Sequence, residues 1–204
     1  MMRVPTNAGR VSRRGLVLIV SAVLCSIGLL QIAAGVLVPA KAFAAQLLLE
    51  RAFDRSVAQH RPLKPWYWAD MAPVARISVP RLGADRIVLD TGSGQAMAFG
   101  PTLLPDSAPL GEPGISVISA HRDTHFRFLK DIRLGDRIDL QGIDGVRRHY
   151  QVTGHTVVAW DRFAVPLQGG GSELALSTCY PFDKIGHGPL RYVVRAVAVN
   201  DRQL

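Results

Sequence analysis

From Leu16 to Val38 the chain carries no charged residue, and Gln31 is the only strongly polar side chain in the run. No water is present inside a bilayer, so every backbone N–H and C=O there must be satisfied internally, as a helix does. About 20 apolar residues in a helix cross a hydrocarbon core of roughly 30 Å. Whatever follows this run must therefore fold on one side of a membrane, and whatever precedes it stays on the other. Arg3, Arg10, Arg13 and Arg14 stand before the run with no acidic residue among them. Positive charge is retained on the cytoplasmic side, which predicts a cytoplasmic N-terminus and an exported remainder. Two other readings are open. Ala40-Lys41-Ala42 has the small-x-small form of a signal-peptide cleavage site, although signal-peptide cores are shorter, about 7–15 residues. Ser12-Arg13-Arg14-Gly15-Leu16 comes close to a twin-arginine export signal but departs from it after Gly15. All three readings export the rest of the chain.

The apolar run accounts for a hydrophobic content of 48% in 204 residues. Four of the cations behind the net charge of +8 are the leading arginines. The remaining basic excess suits a solvated face or an anionic surface. No basic run is interleaved with aromatics, so no nucleic-acid partner is expected. There are two cysteines. Cys25 lies inside the apolar run as a small filler. Cys179 is then the lone thiol of the exported part, which points to reactivity or to intermolecular pairing.

Four segments are expected: a basic N-terminus over 1–15, a transmembrane helix over 16–38, a linker over 39–73 and a catalytic domain over 74–204. Phe43, Leu47, Leu48 and Phe53 recur at helical spacing and make the start of the linker a helical stalk. Pro62, Pro65 and Pro73 then interrupt any helix, and Trp66-Tyr67-Trp68 lies between them. Those aromatics fit either a lipid interface or the flank of the domain. Beyond Val74 short apolar runs alternate with Gly and Pro turns. Strands are expected at 76–80, 85–89, 115–120, 137–140, 150–160, 173–178 and 190–199, with short helical turns at 93–99 and near Phe126 and a Pro/Gly-rich loop over 100–114. A glycine-rich loop is expected at 165–172. Many short strands and little helix define a mainly β protein, a barrel or sandwich.

Three side chains in this part can act together. Cys179 follows Leu174-Ala175-Leu176-Ser177-Thr178, where the end of a strand holds a nucleophile rigidly. His121 ends the apolar run Ile115–Ser119 and Ala120. Arg191 opens the last strand, sharing a face with Val193 and Arg195 by alternation. A thiolate attacks carbonyls, an imidazole moves protons and a guanidinium stabilises an oxyanion. His125, four residues after His121, raises the alternative of a metal-binding pair, but no helix aligns the rings and no further ligand completes a set. Asp106, Glu112 and Glu173 are scattered and form no calcium cluster. No metal or other cofactor is expected.

The order His, Cys, Arg, with Ala120-His121-Arg122-Asp123-Thr124-His125-Phe126, Gly135-Asp136, Leu176-Ser177-Thr178-Cys179 and Arg191-Tyr192, resembles the sortase family over about 74–199. Alanine stands at 120 where many relatives have glycine, and at 175 where many have threonine. The ending Cys179-Tyr180-Pro181-Phe182 looks like sortases of Gram-negative bacteria, including marine proteobacteria. The resemblance implies an eight-stranded β-barrel with short helices. It implies an inner-membrane cysteine transpeptidase, of the hydrolase class acting on peptide bonds, with its domain in the periplasm. The partners implied are exported proteins with a C-terminal Leu-Pro-x-Thr-Gly-like sorting signal, cut after threonine, and an amine that accepts the acyl group. Cys179 would be the nucleophile, His121 the acid/base and Arg191 the oxyanion or backbone donor, with Thr178 and Ala120 contributing to substrate binding. L,D-transpeptidases carry a different run around their cysteine, and papain-like enzymes place cysteine before histidine. A tethered peptide-binding barrel with an inactive site is the non-enzymatic alternative.

Overall fold

The computed structural model describes residues 13–162, 171–184, 186 and 188–200. The chain divides into two compact units, Met1–Ala44 and Ala45–Leu204. Helix α1, Arg13–Gln59, begins in the first and ends in the second. It continues through Pro39, so no break in secondary structure marks the expected boundary at 38 and 39. Within the first unit its apolar stretch has a mean hydropathy of 2.5. Leu18, Leu29, Leu30 and Ile32 are all exposed there. A helix apolar on every side is suited to lipid. By length and composition this one is able to cross a membrane.

In the second unit eight strands close into a barrel. They are β1 Pro73–Val79, β2 Ala84–Leu89, β3 Thr102–Leu103, β4 Gly114–Ser119, β5 Arg137–Gly142, β6 Arg147–Ala159, β7 Ser172–Tyr180 and β8 Leu190–Val199. Around the barrel the order is β1-β2-β3-β4-β7-β8-β6-β5. Closure leaves no open sheet edge. Most pairs are antiparallel, while β2 with β3 and β4 with β7 are parallel. A parallel pair needs a long crossover, and here β5 and β6 lie within the connection from β4 to β7. The short strand β3 falls inside the Pro/Gly-rich stretch expected to be loop throughout. The turn after β1 is a 3₁₀ turn over Pro80–Leu82 that ends at Gly83, whose φ of 60° is left-handed backbone that glycine adopts without strain. Helix α2, Gly94–Met97, starts where the Ser93 side chain accepts a hydrogen bond from the Ala96 amide.

Alternation along the strands fills the interior with Ile77, Val79, Ile118, Leu140, Tyr150, Leu174, Leu176, Val194 and Ala196. Tyr150 is fully buried and its hydroxyl meets Ser172 Oγ at 3.0 Å. On the flank, Leu49 and Phe53 of α1 pack with Ala69, Met71, Ile87, Leu89 and Ala96. Trp66 joins this flank, edge-on to Phe99 at 5.4 Å between centroids, whereas Tyr67 and Trp68 are exposed. Of the triplet, Trp66 thus takes the flank of the domain, one of the two surroundings expected.

The turn before β5 is held by charge. Asp136 is buried, and its carboxylate accepts from Arg81 Nε at 2.5 Å, Arg81 Nη2 at 2.6 Å and the Arg133 amide at 2.7 Å. The hydrogen bond from Arg81 is the main reason its pKa lies below the ordinary carboxylate value, against an opposing effect of burial. A carboxylate with a depressed folded pKa stabilises the fold above its unfolded pKa, and that contribution is lost as pH falls through the folded value. Asp136→Asn is therefore expected to lower the melting temperature at pH 7 by several degrees. The gap to the native protein should narrow below about pH 4, where the native carboxylate is also protonated. Melting curves at pH 7 and pH 3 check this, and an equal gap at both would show that charge is not the cause.

Candidate active site

Cys179 and Arg191 are direct partners across the antiparallel pair of β7 and β8. Side chains opposite one another in such a pair stand on the same face with Cβ atoms about 5 Å apart. On the other side of β7, Ser119 of β4 is paired in parallel with Ser177. Two residues further on come His121, just past the end of β4, and Cys179, within β7. The Ala120 amide continues the ladder to the Ser177 carbonyl at 3.2 Å, and Thr178 Oγ1 donates to the Ala120 carbonyl at 2.7 Å. Three neighbouring strand ends therefore carry the imidazole, the thiol and the guanidinium side by side. Cys179 and Arg191 are half-buried and His121 is exposed.

All three lie outside the barrel. Tyr192, Val194 and Ala196 belong to the interior, so Arg191, Val193 and Arg195 face outward. Val193 shares its face with Arg191 because it belongs to a second, outer apolar cluster with Ile115, Val117 and Ala175, packed by Leu104 and Val158. This cluster stiffens the strands just below the three polar groups. Arg195 is the wrong arginine for the thiol: it pairs with Ala175 in register and its Nη2 meets Glu173 Oε2 at 3.0 Å.

Arg191 is aimed by its own loop. Its Nη1 donates to the carbonyls of Gly188 and Leu190, each at 3.1 Å. Gly188 lies so close to the chain that a Cβ there would come within 2.5 Å of the Tyr180 carbonyl, the residue after the cysteine. A side chain at 188 would push β7 and β8 apart beside the thiol. Inside the barrel end, Tyr192 stacks between His155 and Tyr180, and Phe182 meets it edge-on at 5.2 Å. Burial, then the neighbouring Tyr180, raise the pKa of the Tyr192 hydroxyl, which stays protonated at neutral pH.

The connection from β7 to β8 starts with a cis bond between Tyr180 and Pro181. It is gathered by Arg122, which the sequence offers only as a neighbour able to orient the loop after His121. Arg122 is only 3% exposed. Its Nη1 donates to the Pro181 carbonyl at 2.8 Å, its Nη2 to the carbonyls of Lys184 and Gly186, and its Nε to Asp123 Oδ1 at 3.3 Å. His125 does not join the thiol. Its Nε2 lies 3.5 Å from the Ala98 carbonyl, and burial, reinforced by the charges of Arg86 and His121, lowers its pKa despite that contact. Most of the glycine-rich loop expected at 165–172 lies outside the described residues.

A thiol, an imidazole and a guanidinium on adjacent strand ends of a closed eight-stranded barrel form a constellation suited to cysteine-based acyl chemistry. A sequence model of the sortase domain matches residues 77–199. The chain belongs to the sortase family. It is 30% identical over 118 residues to sortase D of Bacillus subtilis, a match covering 58% of this chain and 60% of that protein. Its fold is similar to that of a Clostridium perfringens sortase transpeptidase, with a TM-score of 0.62, 16% identity, and coverage of 77% of this chain and 99% of the other. A pilus-related sortase C of Group B Streptococcus aligns at 27% identity with a TM-score of 0.56, over 64% of this chain and 69% of that one.

Proposed function

We propose that the chain is a membrane-anchored cysteine transpeptidase. It would cut a Leu-Pro-x-Thr-Gly-like signal near the C-terminus of exported proteins and pass the acyl group to an amine. The observation that carries this reading is the register that sets Cys179 opposite Arg191, with His121 at the adjoining strand end. Cys179 Sγ attacks the threonine carbonyl carbon, and its proton passes to His121. Arg191 holds the oxyanion, as a permanently charged group suited to charge stabilisation and not to proton transfer. Collapse breaks the C–N bond, and the glycine amine leaves with the proton from His121. The incoming amine then attacks the thioester and regenerates the thiol. Thr178 and Ala120 are buried and bonded to each other. Their contribution to substrate binding would run through the strand ends that they join.

The apolar part of α1 would be the anchor, in the inner membrane, with the leading arginines in the cytoplasm and the barrel in the periplasm. The segments proposed are those read from the sequence: 1–15, 16–38, 39–73 and 74–204.

The full chain in detergent, incubated with a library of Leu-Pro-x-Thr-Gly-like peptides, should give a peptidyl adduct on Cys179 by intact mass spectrometry. An added amine should discharge it. Arg191→Ala should slow adduct formation by about 10²–10³-fold, the cost of losing an oxyanion donor in other enzymes. A folded protein with a reduced thiol that forms no adduct with any peptide would refute the reading.

A further inference from the structure

We propose that Arg122 is a positioning residue for this chemistry: it ties the His121 strand end to the β7–β8 connection and so fixes the imidazole relative to the Cys179–Arg191 pair. The inference rests on the transpeptidase reading of the same site. A guanidinium keeps its charge at any working pH, and burying such a charge without partners is prohibitively costly. Here the partners are chiefly backbone carbonyls, those of Pro181, Lys184 and Gly186. Asp123, its carboxylate neighbour, is largely exposed and meets only Nε. Such a set matches the rigid, planar fork of arginine, which presents several donors in fixed directions. An ion pair made for stability alone would not need three carbonyls of one short connection.

The placement gives the bonds their consequence. Arg122 follows His121 directly. Pro181 lies two residues after Cys179, and Gly186 lies five residues before Arg191. The same connection carries Phe182, which packs edge-on against Tyr192 inside the barrel end. One guanidinium therefore joins the histidine segment to the chain that links thiol and arginine. Loss of this fork would leave the substrate-facing surface in place while loosening the alignment of the proton carrier with the thiol. Misplacement by about 1 Å can cost about 10²-fold in rate.

Arg122→Lys keeps the charge but ends one bond short of the Nη atoms and loses the fork. In the full chain in detergent, kcat with a cleaved Leu-Pro-x-Thr-Gly-like peptide is expected to fall about 10- to 100-fold, with KM within twofold of the native value, in a protein that still unfolds cooperatively. Trypsin should cut after Lys184 faster. If that cut quickens while kcat stays native, or if KM carries the loss, the proposal is overturned. Should the native protein cleave no peptide, the transpeptidase reading fails by itself, and the rate at which iodoacetamide alkylates Cys179 decides instead. A rate altered threefold or more by Arg122→Lys supports the coupling, and an unchanged rate rejects it. If Arg122→Lys does not fold, Arg122→Gln, a neutral donor, is read in the same assays.

Discussion

Cys179→Ala is expected to lower peptide turnover by about 10⁴-fold or more, since removing the nucleophile of a covalent mechanism costs up to about 10⁶ in comparable enzymes. Cys25, the other free cysteine, belongs to the apolar part of α1 and cannot replace it. Peptide binding should survive, because the outer apolar cluster and the Arg191 guanidinium do not depend on the thiol. The expected signature is a KM near the native value with no adduct at residue 179. Steady-state kinetics paired with intact mass spectrometry checks this. Native turnover in Cys179→Ala would move the chemistry away from the thiol. Equal peptide binding by native and variant protein, with no cleavage by either, would leave a binding barrel.

Much of the site was legible because β-structure has a period of two. The run beginning at Leu190 matches its strand to the residue, the strand expected at 115–120 forms one residue earlier at each end, and the run before Cys179 differs only at its ends: β7 continues through the cysteine to Tyr180. Alternation also set Arg191, Val193 and Arg195 on one face. It could not say that this face is the outer one. Ile115, Val117, Ala175 and Val193 are as apolar as the interior residues beside them, and a strand buried on both faces gives no polar marker of inside and outside. The pairing of β4 with β7, which brings His121 to Cys179, joins segments far apart in sequence across a crossover, so no local pattern encodes it. The reach of Arg122 to the β7–β8 connection was invisible for another reason. A buried arginine and a solvated one are the same letter, and only the carbonyls of a distant connection distinguish them. The two-residue strand β3 is too short to show alternation at all.

The end of α1 carries the second large effect. Leu49 and Ala52 are fully buried, and Phe53 is 2% exposed. Ser56 Oγ donates to the Ala52 carbonyl at 2.8 Å and accepts the Leu63 amide at 2.9 Å, locking the chain as it leaves the helix. The Gln46 side chain donates to the Phe99 carbonyl at 2.7 Å. The Arg76 guanidinium lies over the Phe53 ring at 5.4 Å from its centroid. This segment is a stalk by sequence, and by packing it belongs to the apolar cluster on the barrel's flank. Truncating a buried phenylalanine to alanine costs about 3–5 kcal/mol, a large share of the 5–15 kcal/mol that stabilises a typical domain. Phe53→Ala in the full chain is expected to shift the denaturant midpoint of the barrel strongly downward, and a chain beginning at Arg61 should unfold still more readily or fail to fold. A chain beginning at Ala40, which keeps the packed turns, should match the full protein. Equilibrium unfolding followed by the near-ultraviolet signal of the buried aromatics compares the four proteins. Equal midpoints for the chains beginning at Ala40 and Arg61 would mean that the helix rests on the barrel without supporting it. In the expected case any shortened version of this protein must keep the last turns of α1, because those turns pack against the barrel's apolar flank.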